Sequence, residues 1–248
     1  MDNQENPVKY DKNTFLALLA QQCSRYEEMF EYLENVVIQR NKDLSEKERE
    51  LLGYGYVSYI SSKRKALHIV MAYETKEKKN ESSLFISYIQ EYRKTLESDI
   101  TQCCQKIINK LDSLFVKKAE TNEIKLYYKK LKGDFNRYIA EYAKDELREK
   151  VMKDGLTAYQ EAMNLSKDLP IMNRNVIGLY LNMSLFYYEV INEKKNAIKI
   201  ANECITKVDK ELPNFNEDNE NGRIIMAIIE LIRENLEHWN VEEEEQHK

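Results

Sequence analysis

The chain of 248 residues carries a formal net charge of -5 at pH 7. This acidic balance argues against a general nucleic-acid-binding protein, which needs a basic surface to displace the counterions of phosphates. No segment approaches the roughly 18 apolar residues of a membrane span, and the polar residues 1–12 contain no signal-peptide core. We therefore expect a cytoplasmic protein, with the nucleus left open as a second compartment, that binds neither nucleic acid nor membrane.

The chain is poor in residues that interrupt helices. Only six glycines and three prolines occur, and Pro7, Pro170 and Pro213 fall between apolar-periodic segments. This pattern predicts an all-α protein with nine helices. The predicted helices cover residues 12–22, 25–39, about 45–76, 83–115, 122–142, 145–167, 174–191, 194–210 and 218–239.

The third and fourth predicted helices are unusually long. At about thirty residues each, they would span roughly 45 Å at 1.5 Å per residue. This length favours an extended antiparallel array in one superhelical domain over residues 1–240. Ser45 followed by Glu48 is a capping-box pattern for the start of the third helix. The glutamate-rich residues 241–248 are expected to form a disordered acidic tail.

Residue types that carry catalysis are scattered. The four cysteines show no metal-ligand spacing, and the three histidines form neither a zinc-site pattern nor a nucleophile-base pair. No glycine-rich phosphate loop occurs either. We expect a protein that is not an enzyme and that holds no cofactor and no metal.

Two helical segments place polar groups beside apolar ones. Asn182 and Glu189 lie seven residues apart, about two helical turns, which indicates a shared face suited to a peptide backbone. In the other segment Arg137 follows Lys130 by seven residues, with Tyr138 next to it. This second grouping is typical of a phosphate site.

Motifs that carry a family resemblance run through nearly the whole chain. They are Arg25-Tyr26-Glu27-Glu28-Met29, Leu44-Ser45 with Leu51-Leu52, Tyr92-Arg93, Lys132-Gly133-Asp134 with Arg137-Tyr138, Ala158-Tyr159-Gln160-Glu161-Ala162, Leu181-Asn182 with Phe186-Tyr187-Tyr188-Glu189, and Asn235-Leu236 with Trp239. On these residues the chain resembles the 14-3-3 phosphopeptide-binding proteins. The resemblance implies nine antiparallel helices, a homodimer built from the first four, and in each subunit an amphipathic groove for phosphoserine or phosphothreonine segments of client proteins.

The resemblance also assigns the phosphate-binding residues. It implies that Arg64, Arg137 and Tyr138 bind the phosphate. The family's phosphate lysine falls on Val57, and a nearby basic position falls on His68, which we regard as auxiliary and as a source of pH dependence. Losing the lysine's charge-assisted hydrogen bond would cost about 1.5–3 kcal/mol, so we expect weaker phosphopeptide binding than is typical.

Further groove and dimer positions follow from the same resemblance. The implied peptide-binding residues are Lys130, Leu181, Asn182, Leu185, Glu189, Ile228, Leu231, Asn235 and Trp239. The implied dimer-interface residues are Leu19, Arg25, Glu28, Tyr92 and Asp99. An Arg25–Asp99 bridge between subunits is expected, whereas the lysine that Glu28 would meet falls on Thr95.

Two interpretations remain open from the sequence. The first is a phosphate-dependent adaptor whose dimer presents two grooves to phosphorylated clients. The second is a degenerate 14-3-3-like helical scaffold that binds partners without phosphate dependence, for which Val57 and His68 are the main support. The acidic tail over residues 241–248 is either solvated or a competitor for the groove.

Overall fold

The computed structural model describes residues 10–79 and 84–246, with side chains through residue 242. It separates into two compact units, Met1–Ala119 and Glu120–Lys248, which are described one by one. Within the described residues there are nine helices and no strand, which confirms the predicted all-α class and the predicted number of helices. No described helix is both long and apolar enough to cross a membrane.

The first unit contains four helices. They are α1 (Lys12–Gln22), α2 (Tyr26–Arg40), α3 (Glu46–Glu77) and α4 (Ile86–Lys110), which continues through a π-helical turn at Leu111–Phe115 to Val116–Lys118. Helix α1 packs on α2, α2 on α3 and α3 on α4, and the fully buried side chains of Leu33, Tyr56 and Ile60 lie in this core. The predicted capping box at Ser45 is present, and the Ser45 amide donates to Glu48 Oε2 at 2.9 Å.

The second unit contains five helices and carries most of the candidate site. They are α5 (Asn122–Ala140), α6 (Asp145–Leu165), α7 (Arg174–Leu185), α8 (Lys194–Glu211) and α9 (Glu220–Gln246). Helices α5 and α6 make the most extensive contact, and α7 packs on α5, α6, α8 and α9. Side-chain caps explain two of the starts, because Thr121 accepts from the amide of Ile124 and Asn173 accepts from the amide of Asn175.

Helix α7 does not end as a regular α-helix. It continues as a π-helical turn over Phe186–Ile191 and stops at Asn192, whose φ of 61° lies in the left-handed region. A side chain from α6 holds this turn, since Arg148 Nη2 donates to the carbonyl oxygen of Val190 at 2.9 Å and Nη1 donates to the carbonyl oxygen of Ala140. One arginine thereby ties the ends of α5 and α7 together.

Two boundaries differ from the sequence prediction. The fourth helix begins at Ile86 rather than at residue 83, a position that lies outside the described residues. The last helix continues past Trp239 to Gln246, whereas a disordered tail was expected over residues 241–248; residues 247 and 248 lie outside the described part. The extension has an anchor, because Glu242 Oε2 accepts from Lys194 Nζ at 2.8 Å and also from the Tyr188 hydroxyl.

Candidate functional site

Arg137 is the central cation of the candidate site in the second unit. Its side chain is only 13% exposed, and its guanidinium carbon lies 5.0 Å from the centre of the Tyr138 ring. The contacts of Nη1 with carboxylates are long, at 3.3 Å to Glu189 and 4.0 Å to Glu141. The Nε atom is buried and has no hydrogen-bond acceptor among the described residues. Arg137 is therefore a buried cation with unused hydrogen-bonding capacity.

The electrostatic surroundings keep Arg137 charged despite its burial. Burial alone would lower the pKa of its guanidinium, but Tyr159, Asp134, Tyr138 and Glu189 raise that pKa above its ordinary value. An arginine offers five donors in a fixed fork, so a bound anion with several oxygens can use those that the protein leaves unpaired. Arg137 and Tyr138 both lie on α5, and the guanidinium of Arg137 contacts the ring of Tyr138.

Lys130 forms an ion pair with a carboxylate of its own helix. Its Nζ donates to Asp134 Oδ2 at 3.0 Å across one turn of α5. Lys130 therefore has a close carboxylate partner, whereas Arg137, predicted on the same face of the helix, has only long contacts with carboxylates. The spacing of four residues is the usual one for a helical ion pair.

Asp134 is a buried residue beside the candidate site to which the sequence analysis assigned no role of its own. It is 3% exposed, and its Oδ1 accepts from the Asn182 Nδ2 and from the Tyr159 hydroxyl, both at 2.7 Å. One carboxylate therefore joins α5, α6 and α7. The Lys130-to-Asp134 spacing could have indicated the ion pair, but no local pattern indicates the contacts with the other two helices.

Gly133 explains how Tyr159 comes so close to α5. A Cβ atom at position 133 would lie 2.5 Å from the Tyr159 ring, closer than such contacts occur in proteins. Glycine in a helix costs about 1 kcal/mol relative to alanine, and here it permits the close approach of α6. Two neighbouring residues of the Lys132-Gly133-Asp134 motif thus contact Tyr159: Gly133 leaves space for its ring, and Asp134 accepts a hydrogen bond from its hydroxyl.

The structure places the α7 residues of the site on the side that faces α5. Asn182 reaches Asp134, and Glu189 reaches Arg137. Their spacing of seven residues includes the π-helical turn, so regular helical geometry does not apply over its whole length. Leu181 is buried and Leu185 is half-buried, beside the two polar groups.

Helix α9 presents a buried stripe and a flanking half-exposed one. Ile225, Ile229, Ile232, Leu236 and Trp239 form the buried stripe. The predicted site residues Ile228, Leu231 and Asn235 flank it, with Leu231 exposed and the other two half-buried. Trp239, predicted for the groove, is only 3% exposed and stacks on Tyr188. Its indole therefore contributes to the core of the second unit.

The remaining predicted phosphate residues belong to the first unit. Arg64 is half-buried on α3, and His68 and Val57 are exposed on the same helix. Their intervals of seven and four residues place them along one face of α3. The apolar Val57 is 41% exposed, so a larger side chain has room at this position.

The predicted dimer residues also lie in the first unit. Leu19 on α1 and Tyr92 on α4 are exposed apolar side chains. The charged residues make contacts inside the chain, where Arg25 pairs with Glu28 and Lys63 Nζ lies 2.6 Å from Asp99 Oδ2. Arg25 and Asp99 therefore each have a charged partner within the chain.

Comparisons with known proteins agree with this architecture. The family model described as 14-3-3 protein matches residues 16–240. The 14-3-3-like protein B of Glycine max is 34% identical over 239 residues, which cover 95% of this chain and 96% of that protein. The 14-3-3-like protein A of Hordeum vulgare is 33% identical over 95% of this chain and 90% of its own length, and the 14-3-3 protein 6 of Solanum lycopersicum is 33% identical over 92% and 89%. The chain belongs to the 14-3-3 family of client-binding adaptor proteins.

Proposed function

We propose that this chain is a phosphate-dependent adaptor that binds phosphoserine or phosphothreonine segments of client proteins. In this proposal Arg137 and Tyr138, together with Arg64, bind the phosphate, and Asn182 and Asn235 bind the main chain of the peptide. The protein acts without catalysis and without a cofactor, in the cytoplasm and with access to the nucleus.

The observation that carries the proposal is the incomplete pairing of the Arg137 guanidinium. A buried charge without full hydrogen bonding is costly, so proteins normally pair such groups. Here Nε has no acceptor among the described residues, and the contact of Nη1 with Glu189 is 3.3 Å long. A phosphate group with nearly two negative charges and three acceptor oxygens would be a stronger partner for Nη1 than the carboxylates of Glu189 and Glu141 are.

The chemistry of the site also suggests a moderate affinity. An arginine binds phosphate through two parallel hydrogen bonds, whereas a lysine acts as a point charge. The chain keeps Arg64 and Arg137 but has Val57 at the lysine position of the family. We expect phosphopeptide binding roughly ten- to a hundredfold weaker than a lysine at position 57 would give.

We further propose a homodimer formed through α1 and α4. The exposed Leu19 and Tyr92 supply apolar surface on these helices, and apolar burial contributes more to association than exposed ion pairs do. Two linked grooves would raise the apparent affinity for a client with two phosphorylated segments. Sedimentation at micromolar concentration tests this proposal, and a purely monomeric chain would contradict it.

The second candidate function is a phosphate-independent scaffold. The observation that favours it is the exposed apolar side chain of Val57 on the face of α3 that also carries Arg64 and His68. In that case partners would bind through apolar contacts, and phosphorylation would not change their affinity.

One binding experiment separates the two candidates. A phosphorylated peptide and its unphosphorylated twin are titrated into wild type, Arg137→Ala and the control Arg233→Ala, which removes an arginine from α9 that pairs with Asp209. The adaptor proposal expects the phosphorylated peptide to bind more tightly, and expects Arg137→Ala but not Arg233→Ala to abolish this preference. Equal affinities of wild type for both peptides would favour the scaffold. Thermal unfolding of each variant shows that the fold is retained.

A further inference from the structure

A cavity lies in the first unit, where the starts of α1 and α3 meet the end of α2. Its volume is about 290 Å³, and its walls include Asp11 and Leu18 from the region of α1, Arg40 from α2, and Lys47 and Leu51 from α3. A water molecule occupies about 30 Å³ in the liquid, so the cavity has space for roughly ten non-hydrogen atoms. The proposed phosphate, peptide and dimer contacts use none of these residues. The cavity is therefore a candidate for a separate small-molecule site.

One carboxylate in the cavity wall has no capacity left for a ligand. Glu48 is 5% exposed. Its oxygens accept from the Thr14 hydroxyl, from Arg40 Nη1 at 2.9 Å, and from the amide and the hydroxyl of Ser45 at 2.9 and 2.8 Å. A carboxylate offers about four acceptor positions, so those of Glu48 are occupied. Glu48 thus fixes Arg40 in the wall and is not itself a ligand-binding group.

The second carboxylate in the wall, Asp11, keeps acceptor positions for a ligand. Its Oδ1 accepts from the Thr14 amide at 2.9 Å and its Oδ2 accepts from Arg40 Nη2, so the described residues use two of about four positions. Burial raises the pKa of Asp11, but the hydrogen bonds from Thr14 and Arg40 outweigh this effect and hold the pKa below its ordinary value. The side chain is 43% exposed. Asp11 is therefore a charged and accessible acceptor.

The charges of the cavity indicate a ligand that carries both signs. Two carboxylates, Asp11 and Glu48, share the one guanidinium of Arg40, so this part of the wall has an excess of negative charge. Lys47 contributes an exposed ammonium to the same cavity. A ligand with an ammonium and a carboxylate can pair with Asp11 and with Lys47, and neither of its charges is then left without a partner.

The rest of the cavity suits an aliphatic group. Leu51 is 8% exposed and Leu18 is half-buried, and both line the cavity. Apolar surface buried against them contributes about 25 cal/mol per Å². The cavity thus combines an acceptor for an ammonium, a donor for a carboxylate and an apolar wall, which are the three groups that recognise an aliphatic α-amino acid.

We propose that the cavity binds a free aliphatic α-amino acid of about the size of leucine. The ammonium of the ligand donates to Asp11, and its carboxylate pairs with Lys47. Its side chain lies against Leu18 and Leu51. Arg40 is a positioning residue, because its Nη2 holds the carboxylate of Asp11. This site goes beyond the proposed binding of client proteins and does not depend on it.

The first experiment determines which charges of the ligand are recognised. L-leucine, isopentylamine, which lacks the carboxylate, and isocaproate, which lacks the ammonium, are each titrated into the full chain and followed by NMR. Leucine should bind about five- to tenfold more tightly than either analogue, because each analogue loses one charge-assisted hydrogen bond. An analogue that binds as tightly as leucine would overturn the proposal, and so would the absence of leucine binding up to about 10 mM.

Two substitutions assign these charges to residues. Asp11→Asn keeps a good N-cap for α1 and should weaken leucine binding about five- to tenfold without weakening isocaproate binding. Lys47→Gln should weaken leucine binding to a similar extent without weakening isopentylamine binding. Asp168→Asn and Lys42→Gln make the same changes at exposed positions outside the cavity and should leave all three affinities unchanged. If Asp11→Asn or Lys47→Gln weakened all three probes equally, the assignment would be wrong.

The third experiment tests whether the side chain of the ligand lies in the cavity. Leu18→Phe adds volume to the apolar wall and should reduce leucine affinity about tenfold. Leu18→Ala removes volume and should raise the affinity for phenylalanine relative to leucine by about fivefold. Ile38→Ala, at an exposed position of α2, is the control, and thermal unfolding shows that each variant is folded. A phenylalanine-to-leucine ratio in Leu18→Ala equal to that of wild type would overturn this placement, even if Leu18→Phe does not fold.

Discussion

The carboxylate of Glu189 lies 3.3 Å from Nη1 of Arg137, and it is an internal anion at the place where the proposed phosphate would bind. Its side chain is 46% exposed, so the pair is screened by solvent and contributes little to stability. Glu189 is therefore a weak partner of Arg137, and a phosphate with nearly two charges would outcompete it.

Glu189→Gln should strengthen phosphopeptide binding by about two- to fivefold at low salt, because it removes a negative charge beside the phosphate site. The gain should decrease at high salt, since the screening length shortens from about 10 Å at 0.1 M to 3 Å at 1 M. Titrations at two ionic strengths check this, with the exposed Glu237→Gln on α9 as the control. Weaker binding by Glu189→Gln would instead mean that Glu189 holds Arg137 in its binding position.

Gly133→Ala should destabilise the protein by about 1–3 kcal/mol, because its Cβ would lie 2.5 Å from the buried Tyr159 ring. The same substitution at Gly178 on α7 meets no atom within 4 Å. Gly178→Ala should therefore stabilise the protein by about 0.4–1 kcal/mol, as alanine favours the helix. Denaturant unfolding of the two variants measures both effects. A destabilising Gly178→Ala or a neutral Gly133→Ala would contradict the packing described above.

Glu74→Gln should destabilise the first unit by about 1–3 kcal/mol at neutral pH, the usual contribution of hydrogen bonds to charged groups. The buried Glu74 carboxylate accepts from Lys78 and Arg93, each at 2.7 Å. These hydrogen bonds, of which the one from Lys78 has the largest effect, lower the pKa of Glu74 from 4.5 to about 2. A lowered pKa stabilises the folded state above pH 4.5, and this stabilisation is lost as the pH falls towards 2.

The pH dependence distinguishes this effect from a general loss of packing. The difference in Tm between wild type and Glu74→Gln should be largest near pH 7 and should shrink between about pH 4.5 and 2. Glu91→Gln, at an exposed position of α4, serves as the control with the same change of charge. A Tm difference that is constant with pH would show that the Glu74 ion pairs are not its cause.

In the proposed phosphate site, Val57→Lys should raise phosphopeptide affinity by about ten- to a hundredfold, because the lysine would add a charge-assisted hydrogen bond to the phosphate. The exposure of Val57 means that the longer side chain fits on α3 without disturbing the core. Ile38→Lys adds the same charge at an exposed position of α2 and should leave the affinity nearly unchanged. An equal gain in both variants would indicate general attraction of the phosphate and not a specific contact.

The hydrophobic periodicity of the sequence, with the prolines and polar segments between the periodic stretches, was sufficient to predict the number and approximate positions of the helices. The capping box at Ser45 was also visible, because all its residues are local. The contacts of Asp134 with Tyr159 and Asn182 could not be predicted in this way, because these partners lie 25 and 48 positions away along the chain and no local pattern indicates them. The burial of Trp239 depends in the same way on a partner from another helix, Tyr188.

The extension of α9 shows a different limit of sequence interpretation. A run of glutamates is typical of a solvated tail, and only the contacts of Glu242 with Lys194 and Tyr188 reveal that the helix continues. Glutamate is also a good helix former, so nothing in the local sequence opposes the extension. The extension depends on the positions of Tyr188, beyond the end of α7, and of Lys194, at the start of α8.

The π-helical turn over Phe186–Ile191 makes the number of residues in this stretch as important as their identity. Deleting one residue would allow a regular α-helix and would rotate the residues beyond it by about 100°. Glu189 would then turn away from Arg137, and Tyr188 would leave the indole of Trp239. Length variation is therefore expected to be far more damaging here than point substitution, and engineered insertions are better placed in the exposed connection between α8 and α9.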